Sequence, residues 1–134
     1  MEIFCIQDFK TEFEKLSSKK SYQSIEKDVI TYFFNKTSEE LASGTRLNNS
    51  DKTPYIKKRL KGSGGYRFYF LLIYKSDSLY LMFVHPKTGS YGVDNLDNKS
   101  IAYLYKKVLA CIKSGNLYKL ELDETGNAIQ FKKL

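Results

Sequence analysis

The spacing of apolar residues changes twice along this chain. A short apolar strand is expected at residues 2–6. Two stretches follow in which apolar residues recur three, four, seven and eight positions apart, which is the spacing of one helix face. Those residues are Phe9, Phe13 and Leu16, then Ile25, Val29, Tyr32 and Phe33. The pattern predicts a helical hairpin, with Asp8 and Ser21 as N-caps, lying on one face of a sheet.

From Tyr55 the spacing becomes that of β-strands. Side chains alternate across a strand, so one face carries Tyr55, Lys57, Arg59 and Lys61, and the other Ile56, Lys58 and Leu60. The glycine-rich residues 62–65 predict a tight turn, because glycine tolerates positive φ. Residues 66–74 are almost entirely aromatic or branched, which is typical of a central strand buried on both faces.

The last third predicts one more strand, a helix and a small hairpin. Residues 79–84 form an apolar strand that a loop follows. Ile101 to Ile112 carry helical spacing, with Asn98 or Ser100 as the cap and Gly115 at the end. An edge strand at 117–122 and a short strand at 128–131 complete the chain.

This order predicts an α+β fold, with the N-terminal strand and helical hairpin packed on a twisted antiparallel sheet. A C-terminal helix and a small tail hairpin are added to it. The chain has 134 residues and is expected to be one domain, 1–134, with a core of 1–115 and a C-terminal extension of 116–134. Residues 37–40 have the form of a capping box, which predicts a further turn of helix. A polar loop is expected from Arg46 to Asp51.

Charge is concentrated in one segment. The chain has 22 Lys and Arg against 15 Asp and Glu, a formal charge of +7, and no acid lies between Asp51 and Asp77. Such a surface predicts a polyanion, an acidic protein or an anionic membrane as partner. Arg67 interrupts an apolar strand, so its charge must reach solvent, a partner or a ligand.

Several classes of protein are disfavoured. No stretch has the form of a signal peptide, and no apolar run reaches the roughly 20 residues needed to span a bilayer. The single histidine, His85, gives no zinc-ligand spacing, so no metal or cofactor is expected. Cys5 and Cys111 are expected to be buried thiols, which is typical of a reducing, cytoplasmic location.

The segment from Lys57 to Lys87 resembles the RelE/HigB/ParE superfamily of bacterial type II toxins. The similarity is carried by the element order, by Gly44-Thr-Arg-Leu47 after the helical hairpin, by Lys-x-Arg-Leu-Lys followed by Gly-x-Gly-Gly-Tyr-Arg-x-Tyr, and by an apolar strand ending near a basic residue. It covers about the first two thirds of the chain. It implies a RelE-like fold and a ribosome-dependent endoribonuclease that cleaves mRNA. Its implied partners are a cognate antitoxin, the ribosome and mRNA, with no membrane.

The resemblance also implies site residues. Lys57, Arg59, Arg67, Lys87 and His85 correspond to catalytic positions. The RNA-binding candidates are Lys61, Lys58, Tyr91 and Arg46.

The chemistry agrees with this interpretation, since fixed cations stabilise the charge that develops on a phosphorane. The general acid or base is either His85 or a lysine whose pKa neighbouring cations lower. A purely structural interpretation stays open: the cations form a solvated face, and Arg67 pairs with Asp94 or Glu40. A second interpretation of the function also stays open, namely that the chain is a non-nucleolytic protein of the same fold. Such a protein is a gyrase-poisoning toxin, an inactive relative or an RNA-binding accessory protein. Convergence of Lys57, Arg59, Arg67 and Lys87 in one concavity distinguishes nuclease from binder.

Overall fold

The fold is seen in a computed structural model, which describes residues 1–60, 65–86 and 96–134. These residues form seven strands and four α-helices. The strands are β1 Glu2–Cys5, β2 Thr45–Arg46, β3 Tyr55–Leu60, β4 Tyr66–Ile73, β5 Ser78–Pro86, β6 Tyr118–Leu122 and β7 Ile129–Lys133. The helices are α1 Gln7–Ser17, α2 Ile25–Phe33, α3 Ser38–Leu41 and α4 Asn98–Ser114. Short 3₁₀ turns occupy Lys20–Tyr22 and Tyr74–Ser76.

All seven strands belong to one open sheet in the order β2-β3-β4-β5-β1-β6-β7. Every neighbouring pair is antiparallel except β1 and β5, which are parallel. β4 lies between the basic strand β3 and β5, and its pairing with β5 shifts register between Tyr69 and Phe70. The α+β class and the predominantly antiparallel sheet are therefore confirmed.

The sheet is covered on both faces. One face packs against α1, α2 and α3 through a core that includes Phe9, Val29, Phe33 and Leu41. The other face packs against α4 through a second core. That core is built on the helix residues Leu104, Val108 and Cys111 and the strand residues Tyr55, Tyr69, Leu71, Tyr80 and Met82. The helical hairpin on one face is as predicted, and α4 covers the other.

The C-terminal strands extend the sheet and are not an appendage. The predicted edge strand at 117–122 is β6, which lies inside the sheet because it pairs with β1 as well as with β7. The edge is β7. Arg46, the first residue of the expected polar loop, also belongs to a strand, since Thr45 and Arg46 pair with Lys57 and Ile56 of β3.

Helix starts differ from the prediction in three places. Ile6 is the N-cap of α1, and Asp8 lies in its first turn. α2 begins after Ser24, because Ser21 belongs to a 3₁₀ turn. The N-cap of α4 is Asp97, whose carboxylate accepts a hydrogen bond from the amide of Ser100 at 2.7 Å. The predicted capping box of α3 is confirmed.

Both cysteines are buried free thiols, as expected. Burial raises the pKa of Cys5 to about 12, with smaller and opposing effects from Lys10 and Glu14. No helix in residues 1–60, 65–86 and 96–134 is long and apolar enough to cross a membrane.

Candidate functional site

Three cations of the basic segment meet at one cavity on the α4 side of the sheet. Lys57 and Arg59 lie on β3, and Arg67 lies on β4 directly opposite Arg59. Thr45 of β2 is the register partner of Lys57 and joins the same face. Together Thr45, Lys57, Arg59 and Arg67 line a cavity of about 210 Å³. Of the four cations whose convergence distinguishes nuclease from binder, Lys57, Arg59 and Arg67 therefore converge, and Lys87 lies outside the described residues.

The alternation of β3 explains this arrangement. Ile56 points into the core beneath α2, so its neighbours Tyr55 and Lys57 must point to the opposite face. Gly44 allows the adjoining chain to approach closely. A Cβ atom at Gly44 would lie 2.6 Å from both Ile56 Cγ2 and the Lys57 carbonyl oxygen, so a larger residue would push β2 away from β3.

Arg67 sits between two other basic side chains along the sheet. Its register partners are Arg59 on β3 and His85 on β5. Its neighbours in sequence, Tyr66 and Phe68, are fully buried in the core beneath the helical hairpin. Arg67 itself is half-buried and lies on the opposite face, on a strand that is held rigidly from below. Such support fixes where its charge is presented.

Glu40, one of the two acids suggested as an ion-pair partner of Arg67, lies on the other side of the sheet. The Glu40 carboxylate accepts a hydrogen bond from the amide of Thr37 at 3.0 Å, and this bond lowers the pKa of Glu40. Glu40 belongs to α3, which packs on the other sheet face through Leu41. The second suggested acid, Asp94, lies outside the described residues.

His85 forms a buried pair with Tyr69 beside the cations. Only 4% of His85 is exposed, and its ring is stacked against that of Tyr69 with centroids 5.7 Å apart. Nδ1 lies 3.0 Å from the carbonyl oxygen of Pro86, so Nδ1 donates, and Nε2 accepts from the Tyr69 hydroxyl at 3.4 Å. The Tyr69 oxygen also accepts from the amide of Leu96 at 3.3 Å.

Burial sets the protonation states of this pair. Burial lowers the pKa of His85, and the charges of Arg67 and Lys57 lower it further, while the bond to Pro86 opposes them. Burial likewise raises the pKa of Tyr69. Both side chains are therefore neutral at pH 7, and His85 is a buried, hydrogen-bonded register partner of Arg67.

Two further predicted residues that the structure describes, Lys58 and Arg46, do not join this cluster. Lys58 lies on the other face of β3, where its Nζ is 5.8 Å from the centre of the Tyr32 ring of α2. Arg46 is the register partner of Ile56 and therefore also lies on that face. Its guanidinium donates to the Ser50 carbonyl at 3.0 Å and pairs with Asp51 at 3.4 Å. Lys61, Lys87 and Tyr91 lie outside the described residues.

Two members of the site did not stand out in the sequence. Thr45 is an ordinary polar residue, but Gly44 before it is a signal for close approach of two strands. Tyr69 belongs to an aromatic run assigned wholly to core packing. Its position two residues after Arg67 places it on the same face, and that alternation was the available signal.

Volume alone would not identify the cationic cavity as the functional site, because a larger cavity is present. A cavity of about 350 Å³ lies beside α2 and is lined by Lys27, Lys36 and Asp28 as well as by uncharged residues. Its charged lining is of mixed sign. Among the residues that the structure describes, none that lines the cationic cavity is acidic, so this cavity is the better match for a phosphate group.

Arg side chains bind anions with two donors, and Lys acts as a point charge, so the cavity is suited to a phosphodiester.

Comparison with known proteins assigns no family to the chain. No protein-family model matches the chain, and no curated protein is significantly similar to it.

Proposed function

We propose that this chain is the toxin of a type II toxin-antitoxin pair, with a RelE-like fold, and that it is an endoribonuclease that cleaves mRNA on the ribosome. The observation that carries the proposal is the convergence of Lys57, Arg59 and Arg67 on one cavity over a rigid central strand. The motif resemblance around Gly65-Tyr66-Arg67 supports the same conclusion.

In the proposed reaction the 2′-oxygen of one nucleotide attacks its own 3′-phosphorus. The bond from phosphorus to the 5′-oxygen of the next nucleotide breaks, leaving a cyclic phosphate and a 5′-hydroxyl. The phosphorane between these states carries additional negative charge. Arg67 and Arg59 hold the non-bridging oxygens in this scheme, since preorganised donors stabilise charge where it develops.

We do not propose His85 as the residue that transfers protons in this reaction. Its two ring nitrogens are both engaged inside the protein, and it is buried, so it serves as a positioning residue for Tyr69. Lys57 lines the cavity and is the described group that we propose to exchange a proton with the reacting hydroxyls.

The proposed cellular partners are the ribosome, mRNA and a cognate antitoxin encoded by the adjacent gene. An antitoxin that covers the cavity with acidic side chains would neutralise the three cations and block the entry of RNA. Co-expression with the adjacent gene product should give a stable complex and relieve growth arrest. Failure of both would contradict the proposed partner.

A second function, a non-cleaving protein of the same fold, is favoured by one observation. The only histidine of the chain is buried and committed to Tyr69, so it is not exposed to an RNA hydroxyl. Such a protein would bind a polyanion through the same cations, as an RNA-binding or gyrase-poisoning relative does, without breaking it.

Inducible expression in bacteria separates the two functions. The wild type is compared with a triple variant, Lys57→Ala, Arg59→Ala and Arg67→Ala, and with Lys106→Ala, which removes an exposed cation of α4. Growth, transcript cleavage mapped by primer extension, and thermal melting are measured together. We expect growth arrest and cut transcripts with the wild type and Lys106→Ala, and neither with a folded triple variant. Arrest with intact transcripts supports the binder, and an absence of arrest contradicts the toxin.

A further inference from the structure

A second cavity adjoins the cationic one along the same two chain segments. Thr45 and Lys57 line the cationic cavity, whereas Leu47 and Tyr55, each two residues away, line the second. The Leu47 amide donates to the Tyr55 carbonyl at 2.7 Å, so the pairing of the two segments continues between the cavities. Two residues of a strand span about 6.6 Å, which one nucleotide can bridge.

This second cavity is built around a pair of stacked rings. Tyr55 of β3 and Tyr105 of α4 are nearly parallel, with centroids 5.6 Å apart and an angle of 12° between the rings. Tyr55 is 2% exposed, and its hydroxyl donates to the carbonyl of Ile101 at 3.1 Å. Tyr105 is half-buried and lines the cavity. The Tyr55 ring is thus held in place by α4, and the Tyr105 ring stacks on the Tyr55 ring.

The cavity also contains a side-chain amide held in a fixed orientation. Asn48 Nδ2 donates to the Thr53 carbonyl at 2.9 Å, and Oδ1 accepts from the Tyr55 amide at 3.0 Å. An asparagine amide has two N–H groups and two acceptor lone pairs, so one donor and one lone pair remain. Asn98, at the first turn of α4, lies exposed on the opposite side of the cavity.

Volume and lining limit the class of ligand. The cavity measures about 200 Å³, below the range of about 300–1,000 Å³ for drug-sized ligands, so it suits a single planar ring system. Its lining combines aromatic faces with amides, and none of the described residues that line it is charged. Aromatic stacking with amide hydrogen bonds is how proteins hold unpaired bases.

We infer that this cavity, between Tyr105, Tyr55 and Asn48, is a base subsite for single-stranded RNA whose adjacent phosphate occupies the cationic cavity. The inference rests on the proposed function, because it needs nucleic acid at Lys57, Arg59 and Arg67. It assigns a substrate-binding role to α4, whose apolar spacing indicates only core packing. Tyr105 supplies the stacking surface, and Asn48 contacts the edge of the base.

The test uses the full chain and a single-stranded 2′-O-methyl RNA octamer that cannot be cleaved by 2′-oxygen attack. One 2-aminopurine base, whose fluorescence is quenched by stacking, is placed at each position in turn. Inorganic polyphosphate serves as a probe that has phosphates and no bases. The variants are Tyr105→Ala, Tyr105→Leu, Tyr105→Phe, Arg67→Ala and the control Tyr103→Ala, an exposed tyrosine of the same helix.

We expect quenching at one position of the octamer with the wild type, Tyr105→Phe and Tyr103→Ala. Tyr105→Ala and Tyr105→Leu should lose the quenching and bind the octamer about 5- to 150-fold more weakly, the scale of one base-aromatic stack. Their affinity for polyphosphate should be unchanged, whereas Arg67→Ala should weaken both ligands. Tyr105→Leu keeps an apolar side chain against the sheet, so it tests the stack even if Tyr105→Ala fails to fold.

Three results would overturn the inference. A folded Tyr105→Leu that binds the octamer with unchanged affinity and quenching removes Tyr105 from the subsite. If the wild type binds both polyphosphate and the octamer but quenches no position, anion binding at the cationic cavity is supported and the base subsite is refuted. Wild-type protein that binds neither probe refutes both the subsite and the proposed function.

Discussion

Arg59 and Arg67 are directly opposite each other on adjacent antiparallel strands. Like charges in this relationship destabilise a sheet, because their side chains lie close on one face. Lys57 and Thr45 occupy the next positions on the same face, and in the described part of the chain no acidic residue lines the cavity. A bound anion would relieve the repulsion, which is the basis of the first prediction.

Replacing Arg59 should raise stability and lower affinity together. In Arg59→Thr the repulsion across β3 and β4 is removed while a good strand former is kept. We expect the free energy of unfolding to rise by about 0.2–1 kcal/mol in low salt, and RNA to bind more weakly. Denaturant unfolding and RNA titration measure the two effects.

Ionic strength provides the control for Arg59→Thr. At 1 M salt the Debye length falls to about 3 Å, so the gain in stability should shrink. Sulfate or polyphosphate should stabilise the wild type more than the variant. A variant less stable than the wild type in low salt would show that Arg59 makes a net stabilising contact.

Arg67 should be the most sensitive residue in cleavage. Arg67→Ala should cost about 2–4 kcal/mol of transition-state stabilisation, the scale for one preorganised donor. Arg67→Lys keeps the charge but loses the two-pronged geometry, so it should also be impaired. Single-turnover cleavage and thermal melting are followed in parallel. A folded, fully toxic Arg67→Ala removes the residue from the site, and an unfolded one supports the structural interpretation.

Lys57 and Lys58 should differ in the salt dependence of RNA binding. They are neighbours in sequence on opposite faces of β3, and only Lys57 lines the cavity. Each phosphate contact to single-stranded nucleic acid contributes about 0.7 to the slope of log K against log salt. Lys57→Ala should reduce the slope by about that amount, and Lys58→Ala by less. Equal reductions would place RNA on both faces of the sheet.

His85 should make the protein less stable as the pH falls. Its pKa in the folded state lies below its ordinary value of 6.5, so the unfolded chain binds the proton more tightly. The free energy of unfolding should be constant well above pH 6.5 and should decrease as the pH falls through 6.5. Denaturant unfolding on both sides of pH 6.5 measures the change.

A single histidine allows a direct control for that pH dependence. His85→Asn keeps a polar group near the Pro86 carbonyl and Tyr69 but removes the titration. The variant should be less stable at pH 7.5 and nearly independent of pH around 6.5. A variant with the slope of the wild type would assign the effect to other groups.

The two thiols should be inert in the folded protein. Cys5 is 0% exposed with a pKa of about 12, and Cys111 is 6% exposed, so neither offers an accessible thiolate at pH 8. Labelling with iodoacetamide should be negligible under native conditions and complete in denaturant. Rapid labelling of Cys5 in the native state would contradict its burial.

Features with local causes were predictable from the sequence. The apolar spacing of Phe9, Phe13 and Leu16 gave α1 its buried face, and the alternation from Tyr55 placed Lys57 and Arg59 on one side. The capping box of α3 followed from Thr37 and Glu40. Each of these depends on residues a few positions apart.

Features that depend on distant pairing were not predictable. The parallel contact between β1 and β5, and the place of β6 beside β1, join segments more than 70 residues apart. The apolar spacing of α4 does not say which sheet face it covers, and hence that Tyr105 stacks on Tyr55. The bond between His85 and Tyr69 needs the register of β4 and β5.

The central place of β1 has a consequence for how the molecule is made. β1 precedes the other six described strands in the chain, yet its two neighbours are β5, ending at Pro86, and β6, ending at Leu122. The sheet around β1 therefore cannot be completed until Leu122 has left the ribosomal exit tunnel, and such long-range pairing is slow to form. During translation one side of β1 thus stays without its native neighbour until β6 has emerged.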